Sequence, residues 1–241
     1  MPPGQTGRLF CRKRAMNHRQ TIVMFAAHPD DAACGFSGTA IRLSRDYNIE
    51  IVCVTRGERG TPKPLAENAA IRTAEEEKAD RLMNAHVTFL GEIDGEVFAG
   101  REVCFRAAAM LEAFAPIRAV FTHWPLDAHP DHTATAEIAL KACHLAKITS
   151  EIYYCEEDVG EQTRNFLPDF YVDITPLAER KTEIIRCHAC QNENDILATR
   201  TMLQNKFRGY EYECGYAEGF KAARPLSGTF RPLLLEVPPL P

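Results

Sequence analysis

The sequence predicts an α/β fold, a mostly parallel sheet covered by helices on both faces, in a single domain. Two observations carry the prediction. Short apolar or β-branched runs alternate with segments of helical period from Thr21 to Leu145, and parallel neighbours need such crossover connections. The polar residues best suited to chemistry follow the strands: His28, the 55–60 loop, Asp94 and the 123–132 segment. Open α/β sheets bind ligands just beyond the carboxyl ends of their strands. At 241 residues the chain can bury a substantial core.

The run Thr21-Ile22-Val23-Met24-Phe25-Ala26-Ala27 reads as the first, buried strand. A helix begins within residues 36–43, with Ile41 and Leu43 facing inward. Residues 49–55 form a second strand rich in β-branched side chains. Residues 68–83 read as a helix with Ile71, Ala74, Ala79 and Leu82 on its inner side. Glu75, Glu76 and Glu77 form a largely solvated acidic run on that helix. Residues 86–90 are the third strand, and Val103, Ala107, Met110 and Phe114 recur at helical spacing. Residues 117–122 are the fourth strand, and Ala134, Ile138, Ala142 and Leu145 mark the helix after it.

The last third is less regular. Residues 152–154 and 170–174 look like short strands, and Thr175-Pro176 starts a helix with Thr as cap and Pro in the first turn. Gly209, Gly215, Gly219, Pro225 and Gly228 mark the tail as loop-rich. Residues 1–20 carry Arg8, Arg12, Lys13, Arg14 and Arg19, with no acid before Asp30. They read as a disordered leader, with the folded domain spanning 21–241.

Composition narrows the function. Hydrophobic residues are 45% and charged ones 25%, the balance of a soluble globular protein. A net charge of −5 argues against a nucleic-acid binder. No apolar run approaches the roughly 18 residues of a membrane span. No G-x-G-x-x-G follows a strand, so a dinucleotide site has little support. Nine cysteines without a signal peptide suit a reducing, cytoplasmic setting. The Cys187-His188-Ala189-Cys190 pair lies in a stretch that reads as helix, where three-residue spacing marks one face rather than a redox pair.

Two tetrapeptides carry the chemistry: His28-Pro29-Asp30-Asp31 and His129-Pro130-Asp131-His132. One such segment alone would read as turn chemistry, with Asp bonding its own backbone and Pro fixing φ. Two of them at the ends of two strands of one sheet point instead to a metal site with an adjacent acid–base pair. His28, Asp31 and His132 make a His₂Asp set suited to zinc, with one carboxylate to balance charge. Asp30 and His129 remain beside them, one placed to accept a proton, the other to stabilise an oxyanion or protonate a leaving amine. Asp131 is suited to hold His129 in the required tautomer.

These segments resemble the signatures of the LmbE-like (PIG-L) zinc-dependent N-acetylglucosaminyl deacetylase family. The resemblance rests on Ala27-His28-Pro29-Asp30-Asp31, Thr55-Arg56-Gly57-Glu58-Arg59-Gly60 and the segment from His123 to His132. Arg72 with Glu75, Asp94, His188-Ala189-Cys190-Gln191, Arg208-Gly209 and Gly215-Tyr216-Ala217-Glu218 match in order, over about residues 22–220. It implies a Rossmann-like fold and hydrolysis of an N-acetyl amide on a glucosamine unit. By motif position His28, Asp31 and His132 would hold Zn²⁺, with Fe²⁺ or another divalent ion able to substitute. Asp30 would be the general base, and His129 the oxyanion stabiliser or acid, oriented by Asp131. Arg72 and Asp94 would contact sugar hydroxyls, although an arginine at that helix position also suits a surface pair with Glu75. Similar enzymes are often homo-oligomers. One departure stands out: the family usually has a glutamate directly after the Asp-Asp pair, and here it is Ala32. The open alternatives are an amidase acting on another acyl amide, such as a thiol conjugate or natural product, and a catalytically silent metal- or sugar-binding protein.

Overall fold

Alternate residues of the first strand serve two cores. Ile22, Met24 and Ala26 pack into one apolar layer and Val23 and Phe25 into the other, so the strand is apolar on both faces, as central parallel strands are. The computed structural model describes residues 19–157, 162–223 and 232–237. Most of the expected leader (residues 1–18), together with Pro225 and Gly228, lies outside the described residues.

Among the described residues, seven strands form one sheet: β1 (Thr21–Ala26), β2 (Asn48–Cys53), β3 (Ala85–Phe89), β4 (Ile117–His123), β5 (Glu151–Cys155), β6 (Phe170–Asp173) and β7 (Ala217–Ala223). Their order is β3-β2-β1-β4-β5-β7-β6. The first five run parallel, and β7 is antiparallel to both β5 and β6. Between them run α1 (Asp31–Gly35), α2 (Ser37–Leu43), α3 (Leu65–Met83), α4 (Arg101–Phe114), α5 (Pro130–Leu145), α6 (Ala178–Ile185) and α7 (Ile196–Glu211). Helices α4 and α5 cover one face through Val103, Ala107, Leu111, Ile138 and Ala142. Helices α1, α2, α3, α6 and α7 cover the other.

Four local expectations are corrected. The tail is not simply loop: α7 and β7 lie within it. The inner face of α3 is polar, since Asn68, Arg72, Glu76 and Asp80 are buried with Ala79 and Met83 while Ala74 is exposed. Glu76 is therefore no part of a solvated acidic run. Thr175 opens a short 3₁₀ turn without capping it, and its hydroxyl instead accepts the Tyr216 backbone N–H at 3.0 Å. Cys187 and Cys190 sit in turns after α6 rather than on a helix, and the Cys190 thiol donates to Glu75 at 2.9 Å.

Two buried ion pairs tie the tail to the rest. Arg208 of α7 grips Glu156, just past β5, through two bonds of 2.6 Å, the bidentate geometry of strong pairs. Glu218 of β7 accepts the backbone N–H groups of Gly38 and Thr39 at 2.8 and 2.7 Å, and Lys181 of α6 at 2.6 Å. Lys181 also donates to the Cys34 carbonyl, so one fully buried ammonium joins α6, α1 and β7. Lys181→Met would strand the Glu218 charge. It should lower the unfolding free energy by about 3–5 kcal/mol, read by denaturant titration, whereas Lys63→Met on the exposed Lys63–Glu67 pair should change it little.

Candidate active site

Strands β1 and β4 lie side by side and parallel, so their carboxyl ends release the two tetrapeptides onto one edge of the sheet. After β1 the chain turns through His28, Pro29 and Asp30 into α1, and the Asp31 carboxylate accepts the His28 backbone N–H at 2.8 Å. After β4 it reaches His129, whose Nδ1 accepts the Asp131 N–H at 3.2 Å and caps α5. Proline in the first turn suits that start.

Three donor groups converge. His28 Nδ1 lies 3.3 Å from His132 Nε2, His132 Nε2 3.5 Å from Asp31 Oδ1, and His28 Nδ1 3.7 Å from Asp31 Oδ2. Ligands about 2.0–2.2 Å from a tetrahedral zinc stand roughly 3.3–3.5 Å apart, so the spacing fits a divalent cation. The cluster offers other trios too: His28 with His129 and His132, Asp31 with His123 and His132, and His28 with Asp94 and Asp131. Backbone N–H groups reach the members of these trios, as the His28 N–H reaches Asp31. His123 Nε2 accepts the Ala27 N–H at 3.0 Å. Asp131 accepts the N–H groups of Gly95 and Val97, and Asp94 accepts that of Arg59 at 2.9 Å.

The surroundings favour positive charge at this spot. Burial opposes a charge on His28, yet Asp131, Asp94 and Asp31 raise its pKa to about 10. Burial would also raise Asp31, but His132, His123 and His28 hold it well below the usual carboxylate range. Such a nest of carboxylates around two histidines suits a cation in the donor set. The outer nitrogens are also oriented. His28 Nε2 meets Asp131 at 3.2 Å and Asp94 at 3.3 Å, while His132 Nδ1 faces Asp127 at 3.4 Å. Carboxylates in this position fix the tautomer of a ligating histidine.

Asp30 stands beside the trio. Burial pushes its pKa up to about 6, with the Arg72 guanidinium opposing the shift. Arg72 is buried and donates to Asp30 Oδ2 at 3.0 Å, to the Pro29 carbonyl and to Gly57 O; it makes no surface pair with Glu75. Gly57, at φ +65°, leaves no space for a Cβ against that guanidinium. The His129 ring is half-buried with its centroid 4.6 Å from that of His28; burial, then His28 and His132, hold its pKa down. The expectation that Asp131 orients His129 is not met in the geometry: the Asp131 carboxylate points at His28, and only its backbone N–H meets His129.

His28, Asp30, Asp31, Arg72, Asp94, His129 and His132 line a cleft of about 550 Å³, joined by Arg59, Gln162, Gln191 and Arg200. Sequence reasoning assigned no role to Asp127 and His123, although both stand inside the quoted 123–132 segment. Glu157 and Gln162 gave no signal at all. Glu157 lines the cleft beyond β5, and its Oε1 has no hydrogen-bond partner among the described residues.

The chain as a whole is similar to known proteins. The family described as GlcNAc-PI de-N-acetylase (PIG-L) matches residues 23–143. Diacetylchitobiose deacetylase of Thermococcus kodakarensis is 27% identical over 228 residues, 85% of this chain and 84% of its own. The 4-oxalmesaconate hydratase of Pseudomonas putida is 27% identical over 217 residues, 80% of this chain and 83% of its own. Among solved structures, N,N'-diacetylchitobiose deacetylase from Pyrococcus horikoshii superposes with a TM-score of 0.76 at 27% identity, covering 85% of this chain and 84% of that one.

Proposed function

The chain belongs to the GlcNAc-PI de-N-acetylase (PIG-L) family, and from that premise we propose that it is a zinc-dependent hydrolase removing the N-acetyl group from an N-acetylglucosamine-containing conjugate. The observation that carries this reading is the meeting of His28, Asp31 and His132 at 3.3–3.7 Å with Asp30 beside them. These three residues are the proposed ligands of Zn²⁺, and an imidazole–carboxylate set also accepts Fe²⁺. When bound, the ion supplies a Lewis acid for the amide carbonyl and lowers the pKa of water.

The chain's own residues divide the remaining work. Asp30, held by Arg72, takes the proton of the attacking water. His129, on the cleft wall against His28, donates a hydrogen bond to the developing oxyanion, and Asp30 passes the proton it has taken to the leaving amine. Asp131 fixes His28 with Nδ1 toward the metal position, and Asp127 does the same for His132 Nε2. Asp94 and Arg72 line the cleft where sugar hydroxyls would be read. No helix among the described residues is long and apolar enough to cross a membrane.

The deciding assay measures acetate release from a panel of N-acetylglucosamine conjugates, with and without chelator. The Pseudomonas putida hydratase is as similar in sequence as the deacetylase, so 4-oxalmesaconate belongs in the same panel. Chelator-sensitive acetate release is the expected result; turnover of 4-oxalmesaconate alone would reject it.

Two predictions test the roles. Purified protein should carry about one zinc per chain, one full set of ligands, and His132→Ala should lose it. Full metal in a His28→Ala, His132→Ala double variant would sink the ligand assignment. Asp30→Asn should keep its zinc while kcat falls by roughly 10²–10⁴, the scale of a lost general base. Asp31→Asn should instead lose metal first, with activity partly restored by added zinc. Mass spectrometry and kcat at saturating zinc separate these patterns, and the reverse pattern would exchange the two roles.

A further inference from the structure

Asp30 holds φ 118° and ψ −28°, a conformation that non-glycine residues keep only where their surroundings over-determine it. Two side chains one turn apart on α3 do so. Arg72 reaches Asp30 Oδ2 and the Pro29 carbonyl, and Glu76 Oε2 accepts the Asp30 backbone N–H at 3.0 Å. Glu76 is fully buried, on a helix face where an apolar residue would bury at no such cost. Position 32 of α1, where the resemblance leads one to expect a glutamate, is an alanine packed in the apolar layer.

We propose that Glu76 is a positioning residue of the active site, holding the backbone of Asp30 from α3. The inference rests on the reading of Asp30 as general base. The acceptor oxygen is what matters, not a negative charge. Burial, with Asp80 and Asp30 close by, pushes the Glu76 carboxyl well above the usual range and so disfavours its charge. Its neighbour His188, 3.7 Å away, is held by burial at about 3 and stays neutral. A glutamine, neutral and of equal shape, would therefore present the same carbonyl to the Asp30 N–H. A methionine would fill the space without it.

The experiment uses the full, zinc-loaded chain as wild type, Glu76→Gln and Glu76→Met. It reads zinc content, kcat and KM for acetate release, and hydrogen exchange of the Asp30 amide by NMR. Both variants should keep wild-type zinc and KM. In Glu76→Met, kcat should fall and Asp30 exchange should rise by about tenfold each, the scale of one lost hydrogen bond, while Glu76→Gln stays within about threefold of wild type. A role in stability alone would change the melting temperature and leave kcat of the folded enzyme unmoved. Unchanged Asp30 exchange in Glu76→Met, or a glutamine variant as impaired as the methionine one, overturns the proposal. Exchange needs no substrate: wild-type protein that releases no acetate rejects the deacetylase reading, while the exchange result still decides the role of Glu76.

Discussion

Adjacent parallel strands deliver their carboxyl ends to the same edge of a sheet, and here the pair that does so is β1 and β4. Nearly a hundred residues separate them in sequence, yet Val23 pairs with Val120 and Met24 with Phe121. The strand order reverses at this point: β2 and β3 lie outward of β1, and the chain returns through α4 to place β4 on its other side. The crevice so formed is where open α/β sheets bind ligands. The proposed ligands come from both tetrapeptides, His28 and Asp31 from one and His132 from the other. The pairing of β1 with β4 makes one cluster of them, and the remaining elements position or shield it.

That cluster is costly to bury, and its hydrogen bonds show how the cost is met. Asp131 takes two backbone N–H groups and His28, Asp94 takes the Arg59 N–H and His28, and Asp31 takes the His28 N–H. Each carboxylate is thus held by the loops it fixes, so assembling the site and ordering its loops are one event. The same economy reaches into α3, whose buried face presents Arg72 and Glu76 to the Asp30 turn instead of packing apolar groups under it. A helix face given over to polar contacts contributes little to the core, and its sequence is shaped by the site above it.

This explains what could be read in the sequence and what could not. Strands β1, β2 and β4 are legible because burial on both faces demands continuous apolar runs, and the two tetrapeptides because His and Asp around proline are rare in such places. Helix α7 escaped because its amphipathicity is inverted: Thr201, Gln204, Asn205 and Arg208 are buried while Leu203, Phe207 and Tyr210 are exposed. Strand β7 escaped because Ala217-Glu218-Gly219-Phe220 lacks β-branched residues, its place being held by the Glu218–Lys181 pair and the antiparallel ladders. The partner of Asp131 was misjudged because nearness in sequence favoured His129, whereas the strand pairing brings His28 across the crevice. Length alone could not tell that Glu76 turns inward between Glu75 and Glu77.

The central claim is that His28, Asp31 and His132 together define a metal position, and anomalous diffraction at the zinc absorption edge from a zinc-loaded crystal tests it most directly. One strong peak is expected, bounded by His28 Nδ1, His132 Nε2 and the Asp31 carboxylate. A peak on the far side of the His28 ring, between Nε2, Asp94 and Asp131, or no peak at all, would contradict it.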